Sequence, residues 1–310
     1  MPIARFPRRP VLTALLSLTL GLSGAACAPA APAAPADTPS IRIASWNLEH
    51  LAAADGAGCR PRGPADYALL RRHADALDAD VIAFQEVENA AAAARVFDPA
   101  RYRIVMSARP DRGQGGECRD RPGASIRRQD VGFAIRRTLP ITRHRDLRAI
   151  GVGNPELRWG VDVTIGGARP VRLLAVHLKS GCAAGRDPED DDCPVLFAQG
   201  RSLERWIDAR AAAGEDFAVL GDWNRRLADP GDGFRALVDD GRPAGAALTL
   251  AAGDAEARCV ARYRRFIDHI ATGTRATARV VKGSFAEYLY DGDETTHPSD
   301  HCPVSVRIAH

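Results

Sequence analysis

The stretch FAVLGDWN, Phe217 to Asn224, decides how this chain is read. Its apolar run with β-prone Phe217 and Val219 has the length and composition of a buried strand. It closes on a carboxylate, Asp222, with an amide, Asn224, two residues further on. Alone, Asp222 reads equally well as a helix N-cap. Other runs repeat the arrangement. IRIASWN (41–47) closes on Asn47, VIAFQE (81–86) closes on Glu86, and VRLLAVHL (171–178) carries His177 near its end. Each has an ordinary explanation by itself: a turn for Asn47, an arginine partner for Glu86, a satisfied core histidine for His177. Ligands of α/β sheets gather beyond the carboxyl ends of strands. Four strands that each deliver a polar group there point to one site more than to four turns.

Working outward, further strands are expected near 102–108, 130–136, 160–165, 266–272, 278–283 and 304–309. A helix is expected over 64–80, with Pro64 at its start and Tyr67, Leu70, Ala74 and Leu77 at helical spacing. A short one follows over 89–97. Another spans 196–213 through Leu203, Trp206, Ile207 and Ala211, interrupted by Gly200. Residues 108–128 read as an arginine- and glycine-rich loop. Direct strand-to-strand connections and helical crossovers both occur, so the residues alone predict a mixed α/β domain over 40–310. No internal repeat is visible.

Composition bounds the function. Apolar residues make up 45% and charged residues 26%, ordinary for a soluble globular chain. The formal charge of +3 is accounted for by Arg5, Arg8 and Arg9 of the first 27 residues. That excludes a basic nucleic-acid coat, and any phosphate binding has to be local. MPIARFPRRP followed by VLTALLSLTLGLSG reads as a signal peptide over 1–27. GAAC at its end is the pattern of a bacterial lipoprotein, with Cys27 as the lipidated residue. Gly24 in place of the usual leucine keeps plain cleavage as the alternative. Residues 28–39 form an Ala/Pro tether. The expected location is therefore the periplasm or the outer membrane, with secretion as the alternative. The membrane is touched only through the lipid, and no obligate protein partner is evident. The other cysteines are Cys59, Cys118, Cys182, Cys193, Cys259 and Cys302, an even set that suits disulfides in an oxidising compartment. Cys182 with Cys193 is the most local pairing. Buried free thiols are the alternative, and no CxxC zinc spacing occurs.

THPSDHCPV, Thr296 to Val304, sets Asp300 beside His301 just ahead of the last strand. SWNLEHL, FQEVEN, VHLKSG, GDWNRR, FIDHI and SDHCPV, in this order, resemble the endonuclease/exonuclease/phosphatase superfamily, the relatives of deoxyribonuclease I. The resemblance covers nearly all of 41–309. Trp223 stands where phenylalanine is more usual. It implies a four-layer αββα sandwich of two mixed β-sheets and divalent-metal hydrolysis of phosphate esters. It implies Glu86 as metal ligand with Asn47 beside it, Asp222 as the group that deprotonates water, and Asn224 as a holder of water or phosphate. His177 and His301, each protonated, would donate to the phosphate, with Asp268 bonded to His301. Asp300 would be a carboxylate directed to the metal or to His177, and Asp130 a weaker candidate partner for His177.

Oxygen ligands suit Mg²⁺, with Mn²⁺ as the alternative. Ca²⁺ as a structural ion in DPEDDDCP (187–194) competes with a plain solvated loop. Lys179 in HLKSG and Arg128, with its neighbours Arg109, Arg112, Arg119, Arg121 and Arg127, suit a nucleic-acid backbone. DNA or RNA is therefore the expected substrate. A lipid or small phosphate ester is the alternative, as in sphingomyelinases or inositol phosphatases. A catalytically inactive envelope binding protein is the alternative of another class. The joint presence of Glu86, His177, Asp222, Asn224, Asp300 and His301 speaks against it. No GxSxG elbow or Gly-Lys-Ser/Thr phosphate loop occurs.

Overall fold

The computed structural model describes residues 39–111, 113, 115–186 and 191–310. The leader expected over 1–27 with Cys27, the tether up to residue 38, Arg112 and the acidic run 187–190 lie outside the described residues. In chain order the elements are β1 (Ser40–Leu51), α1 (Pro64–Leu77), β2 (Val81–Val87), α2 (Ala90–Val96), β3 (Tyr102–Met106), β4 (Glu117–Cys118), β5 (Arg121–Ser125), β6 (Asp130–Arg136) and β7 (Ile141–Arg143). They continue as β8 (Val161–Ile165), β9 (Val171–His177), α3 (Asp192–Ala212), β10 (Phe217–Asp222), α4 (Gly233–Val238), β11 (Leu248–Leu250), β12 (Asp268–Gly273), α5 (Thr274–Thr277), β13 (Ala286–Glu287) and β14 (Val304–Ala309).

Two six-stranded sheets form, in the orders β13-β14-β1-β2-β6-β3 and β11-β12-β10-β9-β8-β7. Each is mixed in the same way. One central pair is parallel, β1 with β2 and β9 with β10, and the other neighbours are antiparallel. A parallel pair needs a crossover, and α1 and α3 supply it. Between the sheets lies a core built by both, including Ile43, Val81, Phe133, Val163, Leu173 and Leu220. The outer face of the first sheet packs on α1 and α2 through Trp46, Leu70, Phe84 and Phe97. That of the second packs on α3 and α4 through Leu174, Trp206, Phe217 and Phe234. The layers are therefore αββα, as the resemblance implied. The central strands, buried on both faces, read as near-continuous apolar runs for that reason.

Three local readings change. The 278–283 run makes only a bridge, Val280 to Ile308. Arg279 turns fully inward there, pairs with Asp216 at 2.6 Å and donates to the carbonyls of Arg169, Pro170 and Ala309. A guanidinium spent on loop carbonyls fastens a turn, not a ladder. Residues 108–128 are not all loop but contain the β4–β5 hairpin. Gly200 does not interrupt α3, because it is where α4 crosses closely. A Cβ there would lie 2.7 Å from the Phe234 ring.

All six cysteines pair, Cys182 with Cys193 as expected from proximity, Cys59 with Cys118 and Cys259 with Cys302. Gly221 takes φ +154, and a Cβ on it would meet the Val176 carbonyl oxygen at 2.0 Å. Gly221→Ala is expected to cost about 3–5 kcal/mol, read from urea denaturation midpoints. A midpoint unchanged from wild type would show that β9 and β10 have slack at this level.

Candidate active site

Strand register brings the polar ends together. Across the second sheet, His177 stands opposite Asp222 on the parallel pair, and Asp222 opposite Asp268 on the antiparallel one. From the first sheet, Asn47 arrives at the register break within β1, which continues to Leu51, and Glu86 at the end of β2. The Asn47 amide joins the sheets, donating to Glu86 Oε1 at 3.2 Å and to Asp222 Oδ2 at 3.1 Å. His177 Nε2 lies 3.7 Å from Glu86 Oε1 and 3.5 Å from Asp222 Oδ2. His301, from the loop before β14, places Nδ1 2.6 Å from Asp268 Oδ2 and Nε2 3.9 Å from Asp222 Oδ2. Glu86, His177, Asp222, Asn224, Asp300 and His301 all line one cleft.

The backbone is strained at this place. Glu86 and Asn224 adopt φ of 60° and 50°, and Glu49 and His50 adopt 42° and 52°. Non-glycine residues pay roughly 1–3 kcal/mol for such conformations, and they persist where surrounding contacts over-determine them. Here Glu86 Oε2 accepts from the His50 N–H at 3.0 Å and from Gln129 Nε2 at 2.8 Å. The Asn224 N–H donates to Asp222 Oδ1 at 2.8 Å, and its Nδ2 to the Leu178 carbonyl at 3.1 Å.

Electrostatics separates the two histidines. Burial, with Arg158 and His301 nearby, pushes His177 well below the ordinary imidazole range. Burial also works against the His301 cation, but Asp268, then Asp222 and Asp300, override it and hold His301 well above that range. Only His301 is thus the cation expected of both. Burial raises Asp222 to about 7, and Asp268 adds to the rise against the pull of His301.

One expected contact is not made, and three other expected groups have partners within the protein. Asp130 does not approach His177. It is buried and taken by Arg109 at 2.8 Å and by Arg128. Arg128 pairs with it and also donates to the Arg109 carbonyl. Lys179 pairs with Asp192 at 2.6 Å at the start of α3. Asp300 is exposed at the cleft mouth, 3.8 Å from His301 Nε2, with its N–H on Glu49.

Residues that the motifs did not flag complete the cleft. Arg158 donates to the Leu178 carbonyl at 3.0 Å, while its buried Nε has no partner among the described residues. Tyr290 accepts from Trp46 Nε1 at 2.7 Å and donates to the His301 carbonyl at 2.7 Å, tying β1 to the His301 loop. Arg158, Gln129 and Tyr290 lie in loops whose direction only the fold sets. No periodicity could have found them.

The donor set fits a hard divalent cation. Glu86 presents carboxylate oxygens, Asn47 holds it from the Nδ2 side while its Oδ1 accepts from the Glu49 N–H at 2.9 Å, and the nearby Asp222 and Asp268 bring further negative charge into a buried place that one cation would offset. Asp222, Asp268 and His301 also have ligand atoms within 4.8 Å of one another. Because Nδ1 of His301 is already engaged by Asp268, that trio reads as a hydrogen-bonded Asp268–His301 pair facing Asp222, and Glu86, with Asn47 beside it, as the ligand.

A family model described as the endonuclease/exonuclease/phosphatase family matches residues 44–301. No curated protein matches the sequence. Among solved structures, truncated TDP2 from Caenorhabditis elegans is 15% identical, with 87% of this chain and 98% of that one covered at a TM-score of 0.58. The human nocturnin catalytic domain with bound sulfate is 16% identical, with 87% and 93% covered at 0.57. The 3'-5' exonuclease NExo from Neisseria meningitidis is 15% identical, with 87% and 100% covered at 0.58. At such identities the likeness is one of fold. Together with the family match over most of its length, it makes this chain a member of the endonuclease/exonuclease/phosphatase family, the metal-dependent hydrolases of phosphate ester bonds.

Proposed function

We propose that this chain is an exported, Mg²⁺-dependent nuclease that hydrolyses DNA, with RNA as the alternative nucleic acid. The observation that carries the reading is the convergence of Glu86, His177, Asp222 and His301, from both sheets, on one cleft. Arg60, Arg119 and Arg158 also line it, which suits a polyanion. Two structural neighbours, NExo from Neisseria and TDP2 from D. rerio, were solved with DNA products. The paired cysteines and the N-terminal leader pattern support export to an oxidising compartment, with Cys27 as the lipid anchor.

A cation held at Glu86, with Asn47 bonded beside it, would draw charge from a phosphate oxygen and stabilise the departing alkoxide. Asp222 takes the proton of the attacking water. The donors on its two oxygens, Asn47 Nδ2 and the Asn224 N–H, fix its orientation. His301, kept cationic by Asp268, donates from Nε2 to the phosphate as negative charge builds on it. Neutral His177 contributes one N–H to the same group. Asn224, braced by Leu178, orients water or phosphate.

Purified protein is expected to degrade plasmid DNA with Mg²⁺ and to stop with EDTA. Glu86→Gln is expected to raise the Mg²⁺ concentration for half-maximal rate by about 10–100-fold. Hydrolysis that ignores chelation would remove the metal from the reading. Sparing of all nucleic acids with cleavage of sphingomyelin or inositol phosphates would replace the substrate.

A further inference from the structure

Beside the catalytic cleft lies a second cavity of about 450 Å³ that shares Asp268, Asp300 and His301 with it. The mechanism uses none of the cavity's other residues. Phe266 and the Cys259–Cys302 disulfide contribute apolar lining, and Tyr263 stands among them 51% exposed. Arg262 places its guanidinium 4.8 Å from the Tyr263 ring centroid. Arg226, two residues beyond Asn224, also lines the cavity. Its guanidinium has no carboxylate or carbonyl partner among the described residues.

The segment carrying Tyr263 is held firmly. Besides the disulfide, the N–H groups of Arg258 and Cys259 donate to Glu287 at 3.0 and 3.1 Å, and that of Ala261 to Glu294 at 2.6 Å. The cavity that reaches the histidine meant for phosphate is thus also lined by an exposed aromatic ring on a held segment and by an unspent cation. Aromatic faces stack on any base, and arginine takes the neighbouring phosphate.

We propose that this cavity is a base subsite for the nucleotide flanking the cleaved phosphodiester, with Tyr263 stacking on the base and Arg226 holding the next phosphate. The assignment rests on the nuclease reading and narrows its substrate. A base seated beside His301 has left any helical stack, so the preferred substrate is single-stranded or has an unpaired end.

The test compares kcat/KM on a single-stranded oligonucleotide with kcat/KM on the same strand made abasic on either side of the cleaved bond in turn. Wild type is expected to lose about tenfold on one of the abasic strands. Tyr263→Ala is expected to lose about tenfold on the intact strand and nothing further on that abasic one, while Tyr263→Phe keeps the wild-type pattern. Arg226→Gln is expected to raise KM and flatten its salt dependence. Should Tyr263→Ala not fold, Tyr263→Leu carries the same comparison without a π-face. Losses that multiply independently, or no loss at all, overturn the subsite while the nuclease reading stands. Wild type that spares every oligonucleotide yet cleaves bis(4-nitrophenyl) phosphate overturns both. An effect of Tyr263→Ala confined to sphingomyelin vesicles assigns the cavity to an acyl chain and overturns the base assignment.

Discussion

Asp222→Asn is expected to lower turnover by on the order of 10²–10⁴-fold and, at neutral pH, to raise the melting temperature of the metal-free protein. The first effect follows from removing the base that faces the water. The second follows from burial. The folded protein holds the Asp222 proton up to about pH 7, whereas the unfolded chain releases it near 3.8. Between those values the folded state binds the extra proton. This contribution to stability is therefore complete below the unfolded value and lost as pH rises through the folded one. An amide cannot ionise, so the gap in melting temperature between variant and wild type should widen from pH 4 to 7 and level off above. Mg²⁺ should narrow it by supplying the missing counter-charge. A gap independent of pH, or turnover left intact, would refute the role of Asp222.

His301→Ala is expected to cost on the order of 10²–10⁴-fold in turnover, and His177→Ala a comparable amount. Asp268→Asn distinguishes a positioned cation from mere packing. Asp268 is the strongest of the groups that raise His301, so without it the imidazole loses its proton at lower pH. The alkaline limb of the kcat profile should move to lower pH in Asp268→Asn, while the protein stays folded. If both limbs remain where they were, His301 does not act as the cation.

The strand-end groups could be read in advance because central strands of buried sheets leave little choice. Each is an apolar run that stops at a polar residue, and the sheet sends those stops to one edge. That is why Asn47, Glu86, His177 and Asp222 were visible together. Charges in loops were not legible in the same way. Lys179, Arg128 and Asp130 looked available in one dimension, yet each meets an opposite charge once the chain folds, Asp192 for Lys179 and the Arg109/Arg128 pair for Asp130. Arg158 and Tyr290 present the converse, unremarkable in sequence and directed into the cleft or onto its histidine by the turns around them. Cys182 and Cys193 are 11 residues apart, and proximity alone favoured them. Cys59 and Cys118 are 59 apart and meet only because the β4–β5 hairpin folds back over the loop after β1.

The two central parallel pairs belong to different sheets, and the cleft is the seam where their ends meet. A refolding chain that has completed either half alone owns only half of the reacting groups. Hydrolysis should therefore appear in one step, when the halves dock, and its lag in a refolding experiment would time that docking directly.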